Sequence, residues 1–352
     1  MASMRKLLWW VLVLLIECAS FHLCIHGEPQ VPCYFIFGDS LVDSGNNNNL
    51  QTLAKVNYHP YGMDFPAGPT GRFYNGLTPA DIIAEHLGFE HYIPPFATAS
   101  GGEILQGLNY ASGSSGIRNE TGRNWGANIN LNKQIENHRN ITSHIAGMLG
   151  SKESAYELLN KCLYSVVTGS NDYMNNYFMP QFYDTSSKYS PEQYADVLIE
   201  QYSQQLRTLY LLGARKVSIQ GLLTIGCTPN ATHTYERKGT ICVDSMNNAA
   251  YIFNQRLKSL VNQLNHDLSD AKFVFVNIFD IPFTNTYAPG LNIEISGCCE
   301  VDINGLCIHN KGVCQDGILL SFWDGFHPSE AVNKIIAAVT YTAVLPLLYE
   351  PQ

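Results

Sequence analysis

The stretch FIFGDSLVDSGNNNN, residues 35 to 49, runs from an unbroken apolar segment into a glycine, an acid and a serine, then into a polar tract packed with asparagine. An apolar run without polar alternation reads as a strand buried on both faces. Its glycine turn delivers Ser40 at the strand end, where a rigid support presents a side chain to a ligand. The same residues also read as a plain turn or an N-cap, so the other strand ends must decide between chemistry and punctuation.

Three further runs have the same character: LYSVV at 163 to 167, KVSIQ at 216 to 220 and KFVFV at 272 to 276. Helical patterns with clear starts lie between them. Thr78-Pro79-Ala80-Asp81 opens one that ends at Gly88, with Thr78 as N-cap and Pro79 in the first helical position. Ser190-Pro191-Glu192 opens another, whose Val197, Leu198, Tyr202, Leu206, Leu209 and Tyr210 share one stripe before Gly213 stops it. Residues Ser245 to Leu268 read as a third helix, and Pro328 opens the last. Strands alternating with helices predict an α/β fold of three layers around a central parallel sheet, with chemistry gathered outside the carboxyl ends of the strands. No repeat, linker or composition shift divides the chain, so residues 28 to 352 are expected to form a single domain.

The residues just past each strand are therefore informative. After residues 33 to 37 comes Gly38-Asp39-Ser40, and after 163 to 167 comes Thr168-Gly169-Ser170-Asn171-Asp172. A further strand is expected at Gly107 to Tyr110, succeeded by Ala111-Ser112-Gly113-Ser114-Ser115-Gly116. A hydroxyl, a flexible glycine turn and a side-chain amide at one sheet edge are the parts of an acyl-transfer site: a nucleophile and donors for an oxyanion. The base is found in Phe322-Trp323-Asp324-Gly325-Phe326-His327-Pro328, where one loop carries a carboxylate and an imidazole that the carboxylate can orient. Asp-x-x-His alone is weak evidence, and each residue has a bland reading as a cap or loop. The four segments carry the argument jointly. Tyr173, Tyr177 and Phe178, just past Asn171, read either as pocket walls or, more often for such positions, as core. Asn46 to Asn49 read as polar loop and helix-cap residues without a catalytic role.

Composition narrows the class. The chain has 352 residues, 45% hydrophobic and 14% charged, with a formal charge of -9. Scattered Lys and Arg in an acidic chain argue against nucleic acid as a partner. Arg5 and Lys6 followed by LLWWVLVLLI, residues 7 to 16, have the layout of a secretory leader and are short for a bilayer span. Residues 1 to 27 are accordingly expected to be a signal peptide, leaving a secreted protein with no stable membrane span. Beyond that leader, Cys33, Cys162, Cys227, Cys242, Cys298, Cys299, Cys307 and Cys314 form an even set suited to disulfides, with 298 to 314 a locally stapled loop. Zinc is the alternative, disfavoured because paired C-x-x-C knuckles are missing from this spacing. The sequons at Asn119, Asn140 and Asn230 fit the same route as glycosylation sites.

The blocks FGDSLVDSGNNN, NYASGSSGI, TGSNDY and FWDGFHPSE resemble, in order, the four sequence blocks of the SGNH hydrolases, and closely those of the plant GDSL esterase/lipase group. The resemblance runs from about Pro32 to the last helix. It implies a flavodoxin-like α/β/α sheet, Ser40 as nucleophile, His327 as general base and Asp324 as its orienting carboxylate. The oxyanion hole would comprise the Ser40 and Gly113 N-H groups and the Asn171 amide, with Gly116 the alternative to Gly113. The implied activity is hydrolysis of carboxylic esters, acyl or lipid, through an acyl-enzyme, with no cofactor and no metal. FGDSL lacks the G-x-S-x-G elbow of α/β-hydrolases. Glu300 stands where the plant group often has Gly after the double cysteine, which marks that loop as a place where shape and substrate preference differ. The same parts serve an acyltransferase, and the same fold can serve a non-catalytic extracellular binding protein. Oligomeric state is not legible. An imidazole must be neutral to act as base, so hydrolysis of a soluble ester should fall as pH drops below about 6 to 7. A flat rate profile down to about pH 4 excludes His327 from that role.

Overall fold

The computed structural model describes residues 28–281, 296–314 and 321–349, so the expected leader at 1 to 27 lies outside the described residues. Among these, strands β1 (Tyr34–Gly38), β2 (Leu163–Val167), β3 (Lys216–Gln220) and β4 (Lys272–Val276) form one parallel sheet in that order. Register pairs Gly38 with Val167 and Val217 with Phe273. Every residue of β1 and β2 is buried, as apolar runs flanked by helices require. The strand expected at 107 to 110 is reduced to an isolated bridge on β1: Ile36 N-H donates to Leu108 O and Tyr110 N-H to Ile36 O, Ser112 N-H adds one contact to Gly38 O, and Asn109 makes a second bridge to Pro95 on its other side. The bridge lies on the edge of β1 away from β2. Counting it, the order is that of a flavodoxin-like sheet, and the direction of chain progression reverses between β1 and β2.

Alternation along β1 builds the three layers. Phe35 and Phe37 face α2 (Leu131–Leu149), α3 (Pro191–Leu211) and α4 (Asp244–Asp267), whereas Tyr34 and Ile36 face α1 (Pro79–Leu87) and α5 (Glu330–Leu348). The expected helix starts are found at Thr78 and Ser190, each with a reciprocal capping box and a proline in the first turn. The last helix begins at Glu330 after Ser329, two residues later than its proline suggested. It is long and apolar enough to cross a membrane by length and composition, and it packs its Ile336, Ala337 and Val344 side into the core. Arg72 grips Asp81 through two buried contacts of 2.8 Å, which ties the start of α1 to the loop after β1.

All eight cysteines from Cys33 onward pair, as Cys33–Cys162, Cys227–Cys242, Cys298–Cys314 and Cys299–Cys307. The zinc alternative is thereby excluded for these thiols. The first bridge ties β1 to the turn before β2, and the last two close the loop that packs with Tyr61, Phe73 and Trp323 in a satellite core.

Gly38 is required by close approach. A Cβ there would lie 2.2 Å from Val167 O and 2.9 Å from Val42 Cγ2. Gly38→Ala should cost about 2 kcal/mol or more in thermal or denaturant unfolding, whereas Gly147→Ala, with open space at its Cβ, should cost nothing. Asp39 is a second sensitive point. Its Oδ1 accepts the Leu41 N-H at 3.0 Å, its Oδ2 has no partner among the described residues, and burial pushes its carboxyl up to about 7. A folded-state value above the unfolded one of about 4 means that the native state binds the proton more tightly. Its contribution to stability is therefore complete below about pH 4 and is lost as pH rises toward 7. Asp39→Asn should flatten that part of the stability profile.

Candidate active site

His327 brings the expected residues together. Its Nε2 lies 2.8 Å from Ser40 Oγ, across 287 residues of sequence, and its Nδ1 lies 2.8 and 3.0 Å from the two oxygens of Asp324. An ionised carboxylate can only accept, so Nδ1 carries the proton and Nε2 turns its lone pair to the serine hydroxyl. The local fold explains the Asp-x-x-His spacing. Asp324 Oδ1 also accepts the backbone N-H groups of Phe326 and His327, each at 2.8 Å, and Trp323 N-H donates to His327 O. This closes a tight turn with both side chains on its inner side, immediately before α5.

Asn171 enters from the turn after β2, where its Nδ2 donates to Ser115 O at 3.0 Å. Its Oδ1 accepts from Asn175 Nδ2 at 2.6 Å, and Asn175 Oδ1 in turn accepts the Trp125 indole N-H at 2.8 Å. Trp125 can only donate, so this relay fixes which way both amides face and leaves one Asn171 N-H for the cavity that it lines. Asn175 lies in a π-helical turn at Tyr173–Tyr177, with φ and ψ of -114° and 26°, a local irregularity common at functional sites.

The expectation for Gly113 needs correction. Its N-H is donated to Asp43 Oδ2 at 2.9 Å and is not available to an oxyanion. Gly116 does not line the cavity; its missing side chain makes room for the Asp172 carboxylate, 2.5 Å from where a Cβ would be. Ser114 lines the cavity instead, with φ of 63° and no protein acceptor for its backbone N-H among the described residues. The Ser40 N-H is likewise without an acceptor among them.

Sequence reasoning also missed the groups that hold this loop. Asp43 Oδ1 accepts from Gly45 and Asn46 N-H, and Asp172 accepts from Ile117 N-H, Arg118 N-H and Thr121 Oγ1. Burial pushes both carboxyls up to about 6, against the pull of these donors, which favour the charged form. The asparagine tract forms turns and caps no helix. Asn46 Nδ2 binds the carbonyls of Asn109 and Ala111, and Asn47 binds Ala54 O, Gly113 O and Ser112 Oγ. A run of buried asparagines beside a glycine-rich segment was the available signal: amides bind backbone that strands leave unpaired.

Around Ser40 and His327 the cavity is walled mainly by apolar groups, among them Phe73, Trp125, Met174, Leu223, Leu306 and Phe326. Tyr173 and Tyr177 take the core reading and pack on Tyr194, with Met174 between them turned to the cavity. Glu300 is exposed in the disulfide loop and does not line the cavity. Of the sequons, Asn119 and Asn140 are exposed and Asn230 is half-buried.

Comparison with known proteins gives the family. The GDSL-like Lipase/Acylhydrolase family matches residues 34–339. Among Arabidopsis thaliana proteins, GDSL esterase/lipase At1g29660 is 49% identical over 95% of this chain and 92% of its own length. Another, At5g45670, is 50% identical over 88% of this chain and 87% of its own. Among solved structures, phospholipase A1 from Streptomyces albidoflavus NA297 aligns with 90% of this chain and 98% of its own, at 17% identity and a TM-score of 0.39. With its family blocks in order and its family match nearly end to end, the chain belongs to the GDSL-like lipase/acylhydrolases, hydrolases of the SGNH type.

Proposed function

We propose that this protein is a secreted serine esterase that cleaves carboxylic esters with an apolar acyl group, using Ser40, His327 and Asp324. The observation that carries the reading is the single imidazole joined to Ser40 Oγ on one ring nitrogen and to Asp324 on the other. His327 Nε2 takes the Ser40 proton as Oγ attacks the ester carbonyl. The carbonyl electrons move onto oxygen, where the N-H groups of Ser40 and Ser114 and the free amide N-H of Asn171 receive the charge. Collapse expels the alcohol, which takes the proton back from His327. Water then attacks the acyl-serine by the same path and releases the acid. The apolar wall favours an acyl chain over a charged group. Four disulfides support export through an oxidising compartment, where Asn119, Asn140 and Asn230 would receive glycans.

Ser40→Ala should abolish turnover of a panel of p-nitrophenyl esters of graded chain length, by about 10³-fold or more, with the melting temperature unchanged. Turnover at the wild-type rate in that variant sinks the reading. Asn171→Ala should lower kcat about 10²- to 10³-fold with little change in KM, because the oxyanion forms only in the transition state. Asn175→Asp tests the relay behind it. A carboxylate still accepts from Trp125 but cannot donate to Asn171 Oδ1, so the Asn171 amide loses its orientation and kcat should fall by about 10-fold or more.

A further inference from the structure

Among the described residues, Asp324 has one side-chain donor besides His327, Tyr61. Tyr61 is fully buried, and its hydroxyl donates to Asp324 Oδ2 at 2.6 Å while accepting the backbone N-H of Cys307 at 3.0 Å. The direction is fixed: an ionised carboxylate and an amide N-H leave the phenol one role toward each. Burial first, and the Asp324 charge next, hold the Tyr61 phenol well above its usual range, so it stays a neutral donor at any working pH.

Cys307, the residue that holds Tyr61, is itself clamped. Tyr58 Oη donates to Cys307 O at 2.9 Å, the Tyr58 ring lies edge-on to Tyr61 at 5.4 Å, and Cys307 is bonded to Cys299. The neighbouring Cys298 and Cys299 N-H groups donate to the carbonyls of Phe322 and Trp323, the two residues before Asp324. The disulfide loop thus reaches the carboxylate both along the backbone and through Tyr61.

We infer that Tyr61 is a positioning residue of the hydrolytic site, held by the disulfide loop, which sets the basicity of Asp324 and through it the proton affinity of His327. The inference rests on the triad reading above. A carboxylate sharing Oδ2 with a phenol has its charge partly satisfied and pulls less on the imidazolium proton. Without that donor, in a position where water does not reach, only the backbone N-H groups on Oδ1 share the charge with His327, which favours the protonated imidazole. Other titratable groups near the pair stay in place when Tyr61 changes. They are Tyr74, whose ring is edge-on to His327 at 5.9 Å, Asp39 on the cavity wall, and Tyr58 with Asp302 in the disulfide loop.

The test is the pH dependence of kcat/KM on a soluble ester in the full-length protein. Tyr61→Phe should move the acid limb to higher pH by about one unit, as loss of a hydrogen bond to a charged group implies, with KM on the plateau little changed. Fluorotyrosine at position 61, a stronger donor of nearly the same shape, should move it to lower pH and keeps the test open if the Phe variant folds poorly. Tyr58→Phe, which leaves the Tyr61 hydroxyl on Asp324, should leave the limb where it is. If the limb stays fixed in both position-61 variants while only melting temperature and amplitude change, Tyr61 is structural and the inference is overturned. Failure of the triad reading is distinguishable, since it appears as wild-type turnover in Ser40→Ala.

Discussion

A carboxylate removed from water must be given hydrogen-bond donors, and much of this site derives from that requirement. Asp43 collects N-H groups from its own turn and from Gly113, and Asp172 collects them from Ile117 and Arg118. Asp324 collects them from its own turn, from Tyr61 and from the imidazole. Each buried acid therefore acts as a clamp on loops that have no ladder of their own. The glycine-serine loop beside Ser40 is held at one end by Asp43 and at the other by Asp172. Its conformation, including the positive φ of Ser114, is imposed from both sides.

The consequence for chemistry is preorganisation. Oxyanion donors are worth most when they are already aimed at the place where charge develops and need no rearrangement to meet it. Of the three donors in the proposed mechanism, Ser40 takes its position from a strand end, Asn171 from the adjacent strand end and a two-amide relay, and Ser114 from the clamped loop. They meet between β1 and β2, where the order of strands reverses and the loops diverge to leave a crevice.

The sequence made legible those features that depend on neighbours along the chain. Strands at 34 to 38 and 163 to 167 announced themselves by apolar runs, and the helices at Pro79 and Pro191 by a hydroxyl cap and a proline. Ser40, Asn171, Asp324 and His327 were legible because each lies at a short fixed distance from the end of such an element. The donor at the glycine-serine turn was not. Whether the Gly113 N-H is engaged or free depends on Asp43, seventy residues away. Tyr61 and Asn175 were invisible for the same reason: a tyrosine or an asparagine carries no local mark of the buried partner that gives it a task. The segment at 107 to 110 looked like a strand because its composition suits one, yet its pairing stops at isolated bridges from Asn109 to Ile36 and Pro95.

The separation of Ser40 from His327 has a bearing on how the molecule comes into being. A chain emerging from the ribosome displays Ser40 early and reaches Asp324 and His327 only near its end. Until the last helix folds back against α1 and the sheet, the hydroxyl has no base beside it. On the proposed mechanism, Ser40 therefore gains its base only after the segment carrying Asp324 and His327 has joined the fold.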